Sequence, residues 1–206
     1  MFYVTSEAPE ICSEVNFMTL DVAENRPEKV EQMCWFAMRV TFKRELGVKQ
    51  MLDLERIENF IPMRREVKLV KGRRVALMTP VVHNLLFVHA SRTVLQAFKA
   101  KVPHLQYMTR RIGQKNEPII VPDWQMRDFI TVSASDDKNL IYFEKVEDGM
   151  CAGSLVRIHG GSFDGVTGTF VKVKGKRSKQ VVIAIQNIVA VAIDAKNYDY
   201  IEIIDE

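Results

Sequence analysis

The feature that most constrains this 206-residue chain is a change of hydrophobic pattern near Gly149. Beyond it every apolar run is short: Leu155 to Ile158, Thr169 to Lys174, Gln180 to Ile185, Val189 to Ile193 and Tyr200 to Ile204. Turn-forming residues separate these runs at Gly160-Gly161, Asp164-Gly165, Lys174-Gly175-Lys176 and Asn197. Five short strands with no room for a helix between them predict a small closed barrel over residues 149–206, because closure removes the unpaired edges of an open sheet.

Between Met33 and Val132 the pattern is mixed. Met33 to Val40 reads as a buried strand, rich in apolar and aromatic residues. Leu46, Met51, Leu54 and Ile57 share one arc of a helix between Lys43 and Asn59, flanked by Val48 and Leu52. Pro62 ends any helix before it, and the runs Val67 to Val70 and Val75 to Met78 flank Lys71-Gly72-Arg73-Arg74, which predicts a hairpin with a basic turn. Leu85 to Val88 is a further strand. Ser91 is placed to cap a helix carrying Val94, Leu95 and Phe98, closed by Pro103. A strand from Leu105 to Thr109, a polar link with Gly113 and Asn116, and the run Ile119 to Val121 lead to Pro122, expected as the first residue of a helix bearing Met126, Phe129 and Ile130.

The order βαβββαβ plus a last helix assigns residues 33–134 to an α/β domain and residues 135–148, small and polar, to a linker. Residues 1–32 show no sustained period and read as an acidic extension. The chain as a whole is α+β.

Charge is unevenly spread. Seven acids, Glu7 to Glu31, crowd the first 31 residues, whereas twelve Lys or Arg residues between Arg64 and Lys115 face one acid, Glu66. The basic middle fits either a polyanion or acidic protein partner, or a solvated face. Its densest group is Arg64, Arg65, Lys68, Lys71, Arg73 and Arg74 on the expected hairpin; a second, Lys172, Lys174, Lys176, Arg177 and Lys179, lies on a barrel turn. Cys12, Cys34 and Cys151 are odd in number and far apart, which disfavours a disulfide framework or zinc site and fits a reducing cytoplasm. The N-terminus carries acids where a signal peptide needs bases, and no apolar run approaches the roughly 20 residues of a membrane span.

Catalytic and cofactor patterns are missing. His83, His89, His104 and His159 show no HExxH or other metal spacing, no GxSxG marks a nucleophile, and Asp136-Asp137 reads as linker solvation. The expectation is a binding protein with no catalytic residue, metal or cofactor. The glycines around Gly160 admit two readings, a tight strand reversal or a phosphate cradle, and the phosphate motifs GxxxxGK[ST] and GxGxxG do not occur.

The stretch Gly153 to Gly168, with Val156, Ile158, Gly161, Phe163, Gly165 and Gly168 at its marked positions, resembles the KOW motif of the NusG family. Trp35-Phe36-Ala37, Asn59-Phe60-Ile61-Pro62 and Leu85-Leu86-Phe87-Val88 resemble three strands of that family's NGN domain. The resemblance covers about Met33 to Glu206 and implies an NGN-type antiparallel sheet flanked by helices, followed by an SH3-like KOW barrel. His83-Asn84 stands where the family usually has Pro-Gly, and Leu85 replaces its tyrosine. The operon-specific antiterminators of the UpxY type look nearer than the housekeeping members.

The resemblance implies a transcription elongation or antitermination factor that binds the RNA polymerase clamp through an apolar depression at Phe36, Val82 and Leu85; the bland alternative places all three in the core. It would set the hairpin bases beside DNA or nascent RNA of the elongation complex. A ribosomal protein or an inhibitor protein is a further expected partner of the barrel, and the expected state is a cytoplasmic monomer. The rival reading is an RNA-binding or ribosome-associated protein with an SH3-like barrel.

Overall fold

A computed structural model describes residues 31–135, 137, 139–144, 146, 152–173, 175 and 177–204. Residues 1–30 of the expected acidic extension, part of the expected linker and the bases Lys174 and Lys176 lie outside the described residues.

The first sheet is built from β1 (Cys34–Val40), β2 (Glu58–Phe60), β5 (Leu85–Ala90), β6 (Leu105–Tyr107) and β9 (Ile120–Val121), in the order β2-β5-β1-β6, with β9 also paired to β1. All of its pairings are antiparallel, and Phe36 stands opposite Val88 while Arg39 stands opposite Leu85. Side chains alternate between faces along a strand, so both faces of this apolar sheet need cover. Phe36, Met38, Val40, Leu86, Val88 and Ala90 pack on α1 (Glu45–Leu54) and α2 (Arg92–Lys101) through Val48, Leu52, Leu95 and Phe98. Trp35, Ala37, Leu85 and Phe87 point the other way, into a cluster with Met126, Phe129 and Val132 of α3 (Asp123–Ser133).

Helix boundaries follow local chemistry. The Ser91 hydroxyl accepts from the backbone N–H of Val94 at 3.3 Å, capping α2 as its sequence predicts. Pro122 takes the N-cap position of α3, so the helix begins at Asp123, one residue after the expected start. Helix α1 is a correction: its buried face is Glu45, Val48 and Leu52, whereas Leu46, Met51 and Leu54 of the expected arc are exposed. The reason is the helical wheel: at about 100° per residue Leu46, Met51 and Leu54 occupy one half of the helix and Glu45, Val48 and Leu52 the opposite half, and the sheet is covered by the latter, while Ile57 lies beyond the helix end at Leu54.

Two antiparallel ribbons project from the sheet. One is the expected hairpin, β3 (Met63–Val70) with β4 (Arg73–Pro80), inserted between β2 and β5. Its turn residues Lys71 and Gly72 take φ 50 and 78, the left-handed pair that matches strand twist. The other, β7 (Thr109–Ile112) with β8 (Lys115–Pro118), replaces the expected polar link and is inserted between β6 and β9. Gly113, expected only as a loop residue, supplies its turn with φ 60. Because β2 and the β6/β9 pair are the two edges of the sheet, the ribbons leave from opposite sides.

The second sheet has the order β10-β14-β13-β12-β11-β15. All five expected strands are present, as β11 (Ser154–His159), β12 (Thr167–Val171), β13 (Gln180–Ile185), β14 (Val189–Asp194) and β15 (Tyr200–Ile203). The sixth, β10 (Ile141–Phe143), comes from the segment expected as linker, where Ile141 and Phe143 pack beside Val182, Ala190 and Ala192. Among the described residues the hydrogen-bonded path ends at β10 and β15, so the expected closure is not made by a ladder.

Residues 31–206 form one compact unit. Helix α3 joins its two sheets, because Met126, Phe129 and Val132 share one buried cluster with Val181, Ile183, Ile185 and Val191 of the barrel. Phe129 meets Phe60 and Phe87 edge-on, with ring centroids 6.3 and 6.1 Å apart. Gln125 donates from Nε2 to the carbonyl of Ala184 at 2.5 Å, and Gln186 donates to the carbonyl of Ile120 at 3.1 Å.

Candidate functional site

The β3–β4 ribbon carries all six bases singled out from sequence, but its register divides them. Arg64, Lys68 and Arg73 fall on one face with Glu66, Val75 and Leu77, while Arg65 and Arg74 fall on the other with Val67, Leu69, Ala76 and Met78. Lys71 sits in the turn. On the first face Glu66 bonds Arg64 at 2.5 Å and Lys68 at 3.3 Å, and these two cations hold its carboxyl below its ordinary value, Lys68 contributing most. The ribbon therefore presents one ion-paired face with cations in excess and one aliphatic face with arginines at its corners.

Phe36, Val82 and Leu85 are not brought together. Phe36 is buried against the α1/α2 layer, whereas Leu85 is buried on the opposite sheet face with α3 and barrel residues in its cluster. Val82 is half-buried and packs against that same cluster. The cause is strand alternation: Phe36 and Leu85 occupy positions of opposite parity in the β1–β5 register.

The barrel motif is structural in its geometry. Val156 and Ile158 are fully buried, Arg157 is exposed, and Phe163 is buried beneath the turn that follows. Gly165 adopts φ 80 in the reversal, and a Cβ at Gly168 would lie 2.7 Å from Val181 Cγ1 and 2.9 Å from the Val182 carbonyl oxygen. Of the expected second basic group, Lys179 lies over the Phe170 ring at 4.8 Å.

Three of the four histidines are tied to glutamates: His83 to Glu45 at 3.2 Å, His89 to Glu58 at 2.6 Å and His159 to Glu202 at 2.9 Å. His89 also stacks on Trp35 and His159 on Tyr200, at 5.0 and 4.6 Å. Among the described residues no group of three or more His, Cys, Asp or Glu is arranged to hold a metal, and no helix is long and apolar enough to cross a membrane.

Two exposed features escape sequence reasoning. The β7–β8 ribbon adds Arg110, Arg111 and Lys115 to the basic surface. Phe42 is 80% exposed and adopts φ 64 beside Lys43 at φ 53, in a segment pinned where the Lys43 N–H donates to Asn84 Oδ1 at 2.9 Å. A bulky residue in the left-handed region is strained, and such strain gathers at contact sites. No sequence signal marks Phe42, whereas the Arg-Arg and Gly113 pattern could have flagged the second ribbon.

These features define a class: an α/β sheet domain with projecting basic ribbons, packed through one helix on a small all-β barrel. Residues 33–130 match the family model described as transcription termination factor nusG. Over residues 33–130 the chain is thus NusG-like and carries a domain of the NusG type. A solved structure concerned with domain interaction in Thermotoga maritima NusG is similar over 84% of this chain and 98% of its own, at 18% identity and a TM-score of 0.42. No curated protein matches the chain.

Proposed function

We propose that this chain binds RNA polymerase through its NusG-type domain and suppresses pausing or termination, at dedicated operons of the kind served by UpxY-type factors. The observation that carries this reading is the NusG-family match over residues 33–130, the segment from which both basic ribbons project. The factor acts by binding and not by catalysis: affinity for the closed, elongating polymerase above that for the paused form shifts the population toward elongation. Val82 marks the polymerase-facing end of the sheet, and Leu85, in the buried cluster it packs on, supports it from within. Arg64, Lys68, Lys71 and Arg73 follow phosphates of DNA or nascent RNA, giving affinity without reading sequence. The barrel recruits a second partner, a ribosomal or inhibitor protein, and the cytoplasm is the place of action.

The test is pausing and terminator readthrough with purified polymerase. Wild-type protein is expected to increase readthrough, Val82→Ser to reduce its effect, and Lys68→Glu with Lys71→Glu and Arg73→Glu to abolish it. Leu85→Asp is a poor probe, because Leu85 is buried and a carboxylate there would unfold the sheet. Wild-type protein indistinguishable from a no-factor control, or tagged protein that retains ribosomal subunits and no polymerase, would overturn the reading.

A further inference from the structure

We infer that the aliphatic face of the β3–β4 ribbon is a docking surface for an acidic, amphipathic protein segment. This goes beyond the polymerase and nucleic-acid contacts above and stands independently of them.

Three cross-strand pairs make the face: Arg65 opposite Met78, Val67 opposite Ala76, and Leu69 opposite Arg74. The guanidinium groups thus occupy diagonal corners, with aliphatic side chains between them. Val67, Leu69 and Met78 are 66%, 73% and 58% exposed. A contiguous apolar patch held in water marks an interaction surface, because its burial recovers free energy in proportion to area. A two-stranded ribbon has only two faces, and the other is occupied with ion pairs. Glu66, the only acid between Met63 and Pro80, turns to that other face and bonds Arg64 and Lys68. Among the described residues Arg65 and Arg74 form no ion pair.

The charge pattern selects the occupant. A second copy of this chain would gather four guanidiniums in one desolvated contact with no acid among them. Nucleic acid would satisfy the arginines, but the face offers no aromatic ring on which bases stack. A protein segment with aliphatic side chains between two carboxylates satisfies both halves, since each carboxylate accepts two parallel N–H bonds from a guanidinium. Arg65 and Leu69 are four residues apart on one strand, so the two arginines are separated by about 13 Å along the ribbon. Matching acids on one face of a helix lie about seven or eight residues apart, roughly 10–12 Å along its axis and within reach of the long guanidinium side chains, or about four apart on an extended strand.

The probe is a fluorescein-labelled helical peptide of about 16 residues, with glutamates seven apart flanking leucines on the same face. Its anisotropy is titrated with the full-length protein. Two control peptides replace the glutamates by glutamine or the leucines by serine, and a single-stranded DNA oligonucleotide is titrated in parallel. The Glu-Leu peptide is expected to bind, and Leu69→Ser with Met78→Ser, or Arg65→Glu with Arg74→Glu, to weaken it by about tenfold or more, as expected for central contacts. Lys71→Gln with Arg73→Gln is expected to leave peptide binding within about twofold, since turn and opposite-face charges lie at its rim. All of these positions are exposed, so the fold is retained, which an unchanged thermal midpoint verifies. Control peptides that bind as well as the Glu-Leu peptide overturn the inference, as does full binding by the Leu69→Ser, Met78→Ser double variant. Loss of DNA binding in that double variant with peptide binding intact reassigns the face to nucleic acid, and self-association abolished by it reassigns the face to a second copy.

Discussion

Asp128 on α3 accepts a hydrogen bond at Oδ2 from the backbone N–H of Thr167 on β12, at 3.1 Å, fastening the helix to the barrel. Burial raises the Asp128 carboxyl above its ordinary value, outweighing the opposing pull of the Thr167 N–H and of Arg127 and Arg157. A carboxyl raised in the packed state binds its proton more tightly there than in the unpacked one. Its contribution is therefore fully present below the ordinary value of 3.8 and is lost as pH rises through the raised value. Asp128→Asn keeps an acceptor for Thr167 without a buried charge. The variant is expected to have the higher thermal midpoint at pH 7, with the difference shrinking as pH falls through the raised value of Asp128. A difference that stays flat between pH 4 and 7 would contradict this.

Gly168 and Gly47 should respond oppositely to alanine. In β12 the new Cβ at Gly168 would press on Val181 Cγ1 at 2.7 Å and on the Val182 carbonyl at 2.9 Å, and the backbone atom cannot swing aside. Gly168→Ala is expected to cost about 1–3 kcal/mol by overpacking. Gly47, inside α1, has nothing within 4 Å of its added Cβ. Gly47→Ala is expected to stabilise by about 0.5–1 kcal/mol, because alanine loses less backbone freedom in a helix. Denaturant midpoints of the two variants measure both.

Much of this fold was legible because its signals are local. Ser91 could be read as a cap, the five barrel strands from their apolar runs and turns, and a hairpin turn at Lys71-Gly72-Arg73-Arg74, which the structure narrows to Lys71 and Gly72 because Arg73 and Arg74 already belong to β4. Failures came where a pattern depended on a packing partner or on distant chain. The helix over Glu45–Leu54 carries apolar residues on two opposite sides, and which one is buried, that of Val48 and Leu52 and not that of Leu46, Met51 and Leu54, is decided by the sheet it packs on. Strand β10 is polar-flanked and gains its place only by pairing with β14, some fifty residues away in sequence. The candidate site shows the same division. The six hairpin bases were legible, but their separation onto two faces is a matter of register, as is the burial of Phe36 and Leu85 on opposite sides of one sheet.

Phe42 offers a way to part strain from function. Its left-handed backbone, φ 64 and ψ 30, costs a non-glycine residue roughly 1–2 kcal/mol, and its exposed ring repays little of that within the chain. Phe42→Gly is expected to raise the thermal midpoint. A fall would mean that the Arg44 guanidinium lying 5.8 Å over the ring supplies more stability than the strain removes.

Salt dependence distinguishes phosphate tracking from other uses of the ribbon. Each phosphate neutralised releases condensed counterion, so log K falls with log salt at about 0.7 per contact on single strands and 0.9 on duplex. Lys68, Lys71 and Arg73 share the turn and the face on which the lone acid, Glu66, already offsets part of the charge. Replacing all three by glutamine should lower the slope by about 2 on single-stranded DNA and by up to about 3 on duplex. Affinity should fall almost equally for unrelated sequences, since these side chains touch backbone and not base edges. Arg110, Arg111 and Lys115 leave the sheet from its opposite edge, and glutamine there should change the slope independently if both ribbons hold one strand. A slope unchanged by the first triple replacement would remove the β3–β4 ribbon from the nucleic-acid path and leave its faces to protein partners alone.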